Sequence, residues 1–275
     1  MAICLLIIPQ EIRTMILLYL LRSPTGHIVL YASTSRQSTR NGTLKIRPYD
    51  PNKPKSYRNA RTIGFAVLRT CRQLYAESRG MIWKENIVTF QFSRPIFADD
   101  TERALARVLK YGHVLGDHLR NVELCAFWLC KDNAKKSLPA LEFLQHCGGR
   151  GELKSVTLRN VSVGREDGWN MCEQLYLRRL QSEEDMRILE EALRDAGGSE
   201  GYLRDVQRRF VFDIDFLCTK MDVHTLTWWK SVGILEVPKL MKRLHVAFGG
   251  DLEVNGRLWM RNGAERESMS HLGRV

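Results

Sequence analysis

Side chains able to catalyse a reaction occur along this chain, but few follow the spacing that catalysis requires. Asp213 and Asp215 flank Ile214, so on a strand both carboxylates would point to one face. Paired carboxylates can hold a metal ion or share acid–base work. The same alternation, with Phe212 and Phe216 on the opposite face, is typical of an ordinary half-buried strand, and we favour that interpretation.

Side chains suitable for zinc lie in the middle of the chain: His113, His118, Cys125, Cys130, His146 and Cys147. The gap between the first two cysteines contains the bulky residues Phe127 and Trp128, and buried free cysteines commonly act as small apolar groups. The chain also has no Walker loop, His-Glu-x-x-His pair or Gly-x-Gly-x-x-Gly turn. We therefore predict no metal, no cofactor and no catalytic residue.

The composition is that of a folded, basic protein from a reducing compartment. Of the 275 residues 44% are hydrophobic, and the 42 lysines and arginines outnumber the 31 acids, giving a net charge of +11. Seven scattered cysteines argue against a disulfide framework. The apolar runs Ile3–Ile8 and Met15–Leu21 are each shorter than the ~20 residues that span a bilayer. We expect a soluble protein of the cytoplasm or nucleus without membrane contact.

Two helices are predicted near the N-terminus. Pro9 suits the first turn of the first helix, which ends near Ser23 and repeats apolar residues at helical spacing. These apolar residues are Ile12, Met15, Ile16, Tyr19 and Leu20. The second helix is predicted from Ile63 to Trp83, with Val67, Leu68, Cys71, Leu74, Tyr75 and Ile82 on one side. We expect the two helices to pack together.

A strongly basic stretch, Arg36–Arg61, separates the two helices. It holds eight basic residues and one acid, and its prolines favour a loop around a short strand pair, His27–Ala32 with Thr43–Arg47. As an alternative function, a nucleic acid could bind this stretch through Lys53, Lys55, Arg58 and Arg61. The stretch could equally be a solvated insertion loop.

The rest of the chain alternates predicted strands and helices. Strands are predicted at Asn86–Phe92, Leu119–Phe127, Leu153–Leu158 and Val206–Leu217, and helices at Ser137–Cys147, Trp169–Leu180 and Glu183–Ala196. Arg243–Phe248 is predicted to be extended, before a hairpin at Asn255-Gly256. We predict an α+β fold with a small helical module at residues 1–95 carrying a basic insertion at 33–62, a mixed α/β interaction region at 96–260 and a flexible tail at 261–275.

Two segments carry a family resemblance. Leu6-Ile7-Ile8-Pro9-Gln10-Glu11-Ile12-Arg13-Thr14-Met15-Ile16 and Leu68-Arg69-Thr70-Cys71-Arg72-Gln73-Leu74-Tyr75-Ala76-Glu77-Ser78-Arg79 resemble the two helix motifs of F-box-like proteins of filamentous fungi, a largely uncharacterised family. The resemblance covers Leu6–Arg22 and Gly64–Phe92. Ile82-Trp83-Lys84-Glu85-Asn86, followed by Phe90-Gln91-Phe92, is similar to the continuation of the second motif. About forty residues, including the basic stretch, separate the two motifs here.

The resemblance implies a non-enzymatic protein whose first helix docks on the small linker subunit of a cullin-type ubiquitin ligase, while the α/β region holds a substrate. The predicted partner-binding residues are Pro9, Glu11, Ile12, Ile16, Tyr19 and Leu20. An amphipathic helix binds a groove through anchors at this helical spacing. The alternative is that the same apolar side chains form ordinary core.

Overall fold

The computed structural model describes residues 5–33, 43–48, 65–91, 117–126, 133–149, 152–160, 183–212, 236–254, 257–261 and 264–265. The chain divides into two compact units, Met1–Glu123 and Leu124–Val275. The predicted boundary between residues 95 and 96 lies outside the described residues, as does the predicted tail apart from Arg261 and Ala264–Glu265. Of the helices in these described ranges, none is long and apolar enough to cross a bilayer.

The helices described in the first unit are short. They are α1 at Gln10–Leu21, α2 at Arg72–Ser78 and α3 at Met81–Glu85, with 3-10 turns at Leu5–Ile7 and Phe65–Arg69. Pro9 stands just before α1 with φ −49°, and Glu11 lies in its first turn, where a negative charge favours the helix dipole. α1 contacts α2, α3 and the second 3-10 turn.

The prediction of one helix from Ile63 to Trp83 is wrong. Cys71 has an extended backbone (φ −158°, ψ 164°), and its Sγ accepts a hydrogen bond from the Leu74 N–H at 3.4 Å. The cysteine therefore acts as the N-cap of α2 and satisfies an N–H that the helix leaves unpaired. A second interruption occurs at Gly80, which precedes α3.

Three strands of the first unit pair in the order β2-β1-β3, where β1 is His27–Ser33, β2 is Thr43–Pro48 and β3 is Ile87–Gln91. β1 and β2 are antiparallel, which confirms the predicted strand pair, and β2 is the only part of the basic stretch that the structure describes. β1 and β3 are parallel, with Ile28 opposite Val88. The buried apolar side chains of the helices and strands form the core: Leu17, Leu21, Ile28, Leu30, Val67, Leu74, Ile82, Val88 and Phe90.

Buried Asn86 fastens the end of α1 to the end of α3. Its Nδ2 donates to the carbonyl oxygens of Leu21 at 3.1 Å and Ile82 at 2.8 Å, and its Oδ1 accepts from the Ser23 N–H at 2.7 Å. The next residue, Ile87, donates its N–H to the Gly26 carbonyl at 2.8 Å. Because a buried polar group is costly without partners, these bonds fix how the two helices lead into β1 and β3.

The second unit contains α4 at Asn133–Gly148, α5 at Glu183–Gly197 and α6 at Glu236–Phe248. Its strands are β5 at Ser155–Asn160, β6 at Gln207–Phe212, β7 at Asp251–Val254, β8 at Arg257–Arg261 and β9 at Ala264–Glu265, while β4 at Asn121–Ala126 spans the division between the units. β5, β6 and β7 are parallel, and β7, β8 and β9 are antiparallel. The fold is therefore α+β, with the predicted alternation of strands and helices.

The prediction that Arg243–Phe248 is extended is wrong, since this segment ends α6. Leu244, His245 and Phe248 are all fully buried, which is a helical spacing. The six residues 243–248 span fewer than two helical turns, too few for the sequence to distinguish helix from strand. Arg243 joins α6 to α5: its Nη2 lies 2.7 Å from Glu183 Oε1 and its Nε lies 2.5 Å from Glu190 Oε1. The Arg243 guanidinium lowers the pKa of the Glu183 carboxyl.

The ends of α5 and α6 approach each other closely, and glycines make this possible. A Cβ on Gly197 would lie 1.9 Å from the Phe248 carbonyl oxygen. Gly249 and Gly250 follow α6 with φ values of +72° and +86°, which favour glycine. The Arg208 guanidinium lies over this junction and donates from Nη1 to the Phe248 carbonyl at 3.0 Å. A cation suits the negative end of a helix dipole.

We expect Gly250→Ala to destabilise the protein more than Gly249→Ala. Both positions have positive φ, which costs an alanine about 1–2 kcal/mol. A Cβ on Gly250 would also lie 2.3 Å from the Arg208 carbonyl oxygen, whereas a Cβ on Gly249 meets nothing closer than 3.4 Å. Urea unfolding of both full-length variants measures the difference, and equal losses would contradict the packing described here.

Buried His245 should make stability depend on pH. Its Nε2 donates to the Gly250 carbonyl at 3.0 Å, and burial lowers the pKa of the imidazole from its usual 6.5, although the Gly250 bond and Asp251 oppose this shift. The folded state therefore resists protonation while the unfolded state takes up a proton.

Stability contributed by neutral His245 should be complete above about pH 6.5 and decrease as the pH falls below that value. The free energy of unfolding, measured by urea at several pH values between about 5 and 8, should decrease towards acid. The His245→Gln variant serves as the control, because it should lose this part of the pH dependence. The same slope in both proteins would contradict the prediction.

Candidate protein-docking surface

α1 buries one side and exposes apolar residues on the other. The buried residues, Arg13, Leu17 and Leu21, follow at intervals of four and face the core. Ile12 is 48% exposed, and Met15 and Tyr19 are each 65% exposed. We call these three residues the exposed stripe. Their spacing of three and four residues places them along one line of the helix surface.

The predicted partner-binding residues divide into two groups. Pro9, Glu11, Ile12 and Tyr19 are exposed, while Ile16 and Leu20 are half-buried at the border of the core. The inward face of α1 is thus centred on residues 13, 17 and 21 rather than on the predicted apolar repeat. Met15 belongs to the exposed stripe, although it was not among the predicted binding residues.

The 3-10 turn before α1 extends the exposed apolar surface. Leu6 is 41% exposed and Ile7 is 78% exposed, and no residue of this turn is buried. Sequence reasoning did not assign these two side chains a role. The signal that could have found them is the apolar run itself, because an apolar run that is too short to cross a membrane must pack somewhere or meet a partner.

A bidentate ion pair connects the two motif segments. Arg13 Nε lies 2.7 Å from Glu77 Oε2, and Arg13 Nη2 lies 2.8 Å from Glu77 Oε1. The side chains are 7% and 20% exposed. Gln73 also donates to Glu77 Oε1 at 3.0 Å, and the hydrogen bonds from Arg13 and Gln73 lower the pKa of the Glu77 carboxyl. The carboxylate is therefore held in its charged form against α1.

Three exposed arginines lie at and beside α2. Arg72 is the first residue of α2, Arg69 ends the 3-10 turn before it and Arg79 follows its last residue, and none makes an ion pair with another described residue. Tyr75, which is 49% exposed, lies on the same short helix. Aromatic residues and arginines are enriched in protein interfaces, and the positive charge of these arginines would suit an acidic partner.

Several residues considered as sites in the sequence analysis lie outside the described residues. These include the nucleic-acid-binding candidates Lys53, Lys55, Arg58 and Arg61, and also Asp213, Asp215, His113 and Cys130. The described part of the chain contains no group of three or more side chains able to ligate a metal ion. Within that part, Cys147 is buried and is not linked in a disulfide. The nucleic-acid interpretation stays a prediction.

Residues 197–201 have the letters of the nucleophile motif Gly-x-Ser-x-Gly. In hydrolases this motif places the serine on a sharp turn between a strand and a helix. Here the motif begins at Gly197, the last residue of α5, and leads through turns to β6, with Ser199 exposed. Because the structural context is a helix followed by a strand, Ser199 is not on a nucleophile elbow.

The exposure of the stripe predicts two very different responses to aspartate. The double variant Ile12→Asp/Tyr19→Asp should remain folded and lose only about 1–2 kcal/mol of unfolding free energy, because both side chains already contact water. Leu17→Asp should unfold the first unit, since Leu17 is fully buried. Circular dichroism and urea unfolding measure both outcomes. Unfolding of the double variant would show that the stripe is core.

The surface therefore combines an apolar stripe on α1, an apolar turn before it and exposed arginines at and beside α2. It offers shape and apolar area for binding a protein rather than groups arranged for a reaction. No protein-family model, curated protein or solved structure matches the chain.

Proposed function

We propose that this protein is a non-enzymatic, F-box-like interaction protein that docks through α1 on the linker subunit of a cullin-type ubiquitin ligase and recruits a substrate to it. The observation that carries the proposal is the exposed stripe. Ile12, Met15 and Tyr19 stand at positions i, i+3 and i+7, the spacing with which helices insert into apolar grooves. Such a function would place the protein in the cytoplasm or nucleus.

The internal packing of the first unit supports this proposal. Arg13, Leu17 and Leu21 anchor α1 to the core, so the opposite side is held outward on a fixed helix. Asn86 and the Arg13–Glu77 ion pair fix its two ends. A partner would therefore meet a preformed surface and would not have to order it during binding.

The second unit supplies a surface on which a substrate could be held. In β5 and β6 the apolar residues Val156, Leu158 and Phe210 are buried on one face of the sheet. The register pairs Thr157 with Arg209 on the other face. Val211 on that face is buried, while the Arg209 side chain is 47% exposed and lies 3.6 Å from Glu253. The exposed part of this face therefore offers hydrogen-bonding and charged groups.

Docking is tested by measuring binding of the purified full-length chain to a purified recombinant linker subunit of a filamentous fungus. Wild type should bind, and Ile12→Asp/Tyr19→Asp should weaken the affinity about 100-fold or more, because interface anchors commonly contribute at least ~2 kcal/mol each. Calorimetry or surface plasmon resonance gives the Kd.

Val246→Asp is the matched control. Val246 is also apolar and is 67% exposed, but it lies on α6 in the second unit. Its replacement should leave the Kd unchanged. The proposal fails if folded wild type does not bind the linker, or if the stripe variant binds as tightly as wild type.

A further inference from the structure

Arg13 does more than pair with Glu77, because its guanidinium also reaches the backbone before α1. Nε and Nη2 donate to the Glu77 carboxylate, while Nη1 donates to the Ile8 carbonyl at 3.0 Å and lies 3.4 Å from the Leu6 carbonyl. One side chain thus links α2 to the apolar turn that precedes its own helix. Arg13 and Glu77, which join α1 to α2, are 64 positions apart in the sequence.

In the part of the chain that the structure describes, the turn has few other fixed contacts. None of its residues is buried, and the Ile8 N–H donates to the Leu5 carbonyl at 3.3 Å to close it. Leu6 and Ile7 nevertheless keep their side chains exposed beside the start of α1. An exposed apolar turn without buried anchors has many conformations unless a specific contact selects one, and Arg13 supplies that contact.

Stability alone is a weak reason to bury an ion pair. Removing two charges from water offsets much of their attraction, and apolar residues of similar volume often replace such a pair without loss. Unlike an apolar side chain, the planar guanidinium donates several hydrogen bonds and so holds several acceptors in one geometry. Here those acceptors are a carboxylate and the backbone carbonyls of the exposed turn.

We propose that Arg13 and Glu77 are positioning residues that hold Leu6 and Ile7 as additional docking anchors beside the exposed stripe. This inference rests on the proposed docking function, and it extends the binding surface to residues before α1. Glu77 orients the guanidinium, Arg13 holds the backbone of the turn, and the two side chains of the turn contact the partner's apolar groove.

Arg13→Lys is the most direct test. Lysine keeps the charge and can still pair with Glu77, but a single ammonium cannot also bond both carbonyls of the turn. Hydrogen exchange of the Ile8 amide should become at least about tenfold faster, and the Kd for the recombinant linker subunit should weaken about tenfold, while the unfolding midpoint changes little.

Two further variants separate positioning from stability. Arg13→Met/Glu77→Leu replaces the pair by apolar side chains, so the unit should remain folded while the turn is released and the affinity falls as in Arg13→Lys. Gln73→Ala removes the other donor to Glu77 without touching the turn, and it should leave both the exchange rate and the Kd unchanged.

The outcomes distinguish this inference from the docking proposal. Unchanged exchange at Ile8 in Arg13→Lys overturns the positioning role, whether or not the linker binds. Faster exchange with an unchanged Kd shows that Leu6 and Ile7 are not anchors. If wild type does not bind the linker, the docking proposal fails, and the anchor role falls with it, while the exchange data still decide whether Arg13 holds the turn.

Discussion

The first unit depends on a charged side chain placed where an apolar one would be expected. Arg13 occupies the core-facing position of α1 that precedes Leu17 and Leu21. Because a buried guanidinium must be matched by acceptors, its presence determines where Glu77, and therefore α2, can lie. The orientation of α1 follows, since turning the helix about its axis would break this pair. The apolar residues left outside form the exposed stripe.

Capping and close approach determine where the other elements end. The Cys71 sulfur caps the start of α2. Asn86 lies at the end of α3 and also donates a hydrogen bond to the last residue of α1. In the second unit, Gly197 and Gly250 allow backbones to approach to distances that a Cβ would prevent. The caps satisfy backbone hydrogen-bonding groups, and the glycines leave room for neighbouring backbone atoms. Neither adds buried apolar area. Small polar and glycine residues thus set the geometry of a fold whose free energy comes mainly from its core.

Much of the secondary structure could be predicted, because periodicity and turn residues are local signals. The span of α1, the β1–β2 pair and α5 follow from helical spacing, alternation and capping residues. The inward face of α1 could not be predicted, because an arginine normally indicates a surface position and its partner, Glu77, lies 64 positions away in the sequence. The break at Cys71 was missed because a sulfur cap has no strong sequence signal. Thus Ile12 and Tyr19 could be nominated as anchors, whereas Leu6 and Ile7 needed the structure.

The parallel pairing of β1 with β3 has a consequence for how the first unit assembles. Apart from β2, most of the described part of the unit is two pieces of chain, residues 5–33 and 65–91, each with helix followed by strand, and the buried faces of the two pieces pack on each other. The Arg13–Glu77 pair and the bonds of Asn86 join one piece to the other. Proteolytic cleavage between them would therefore yield two fragments that remain associated without a covalent link.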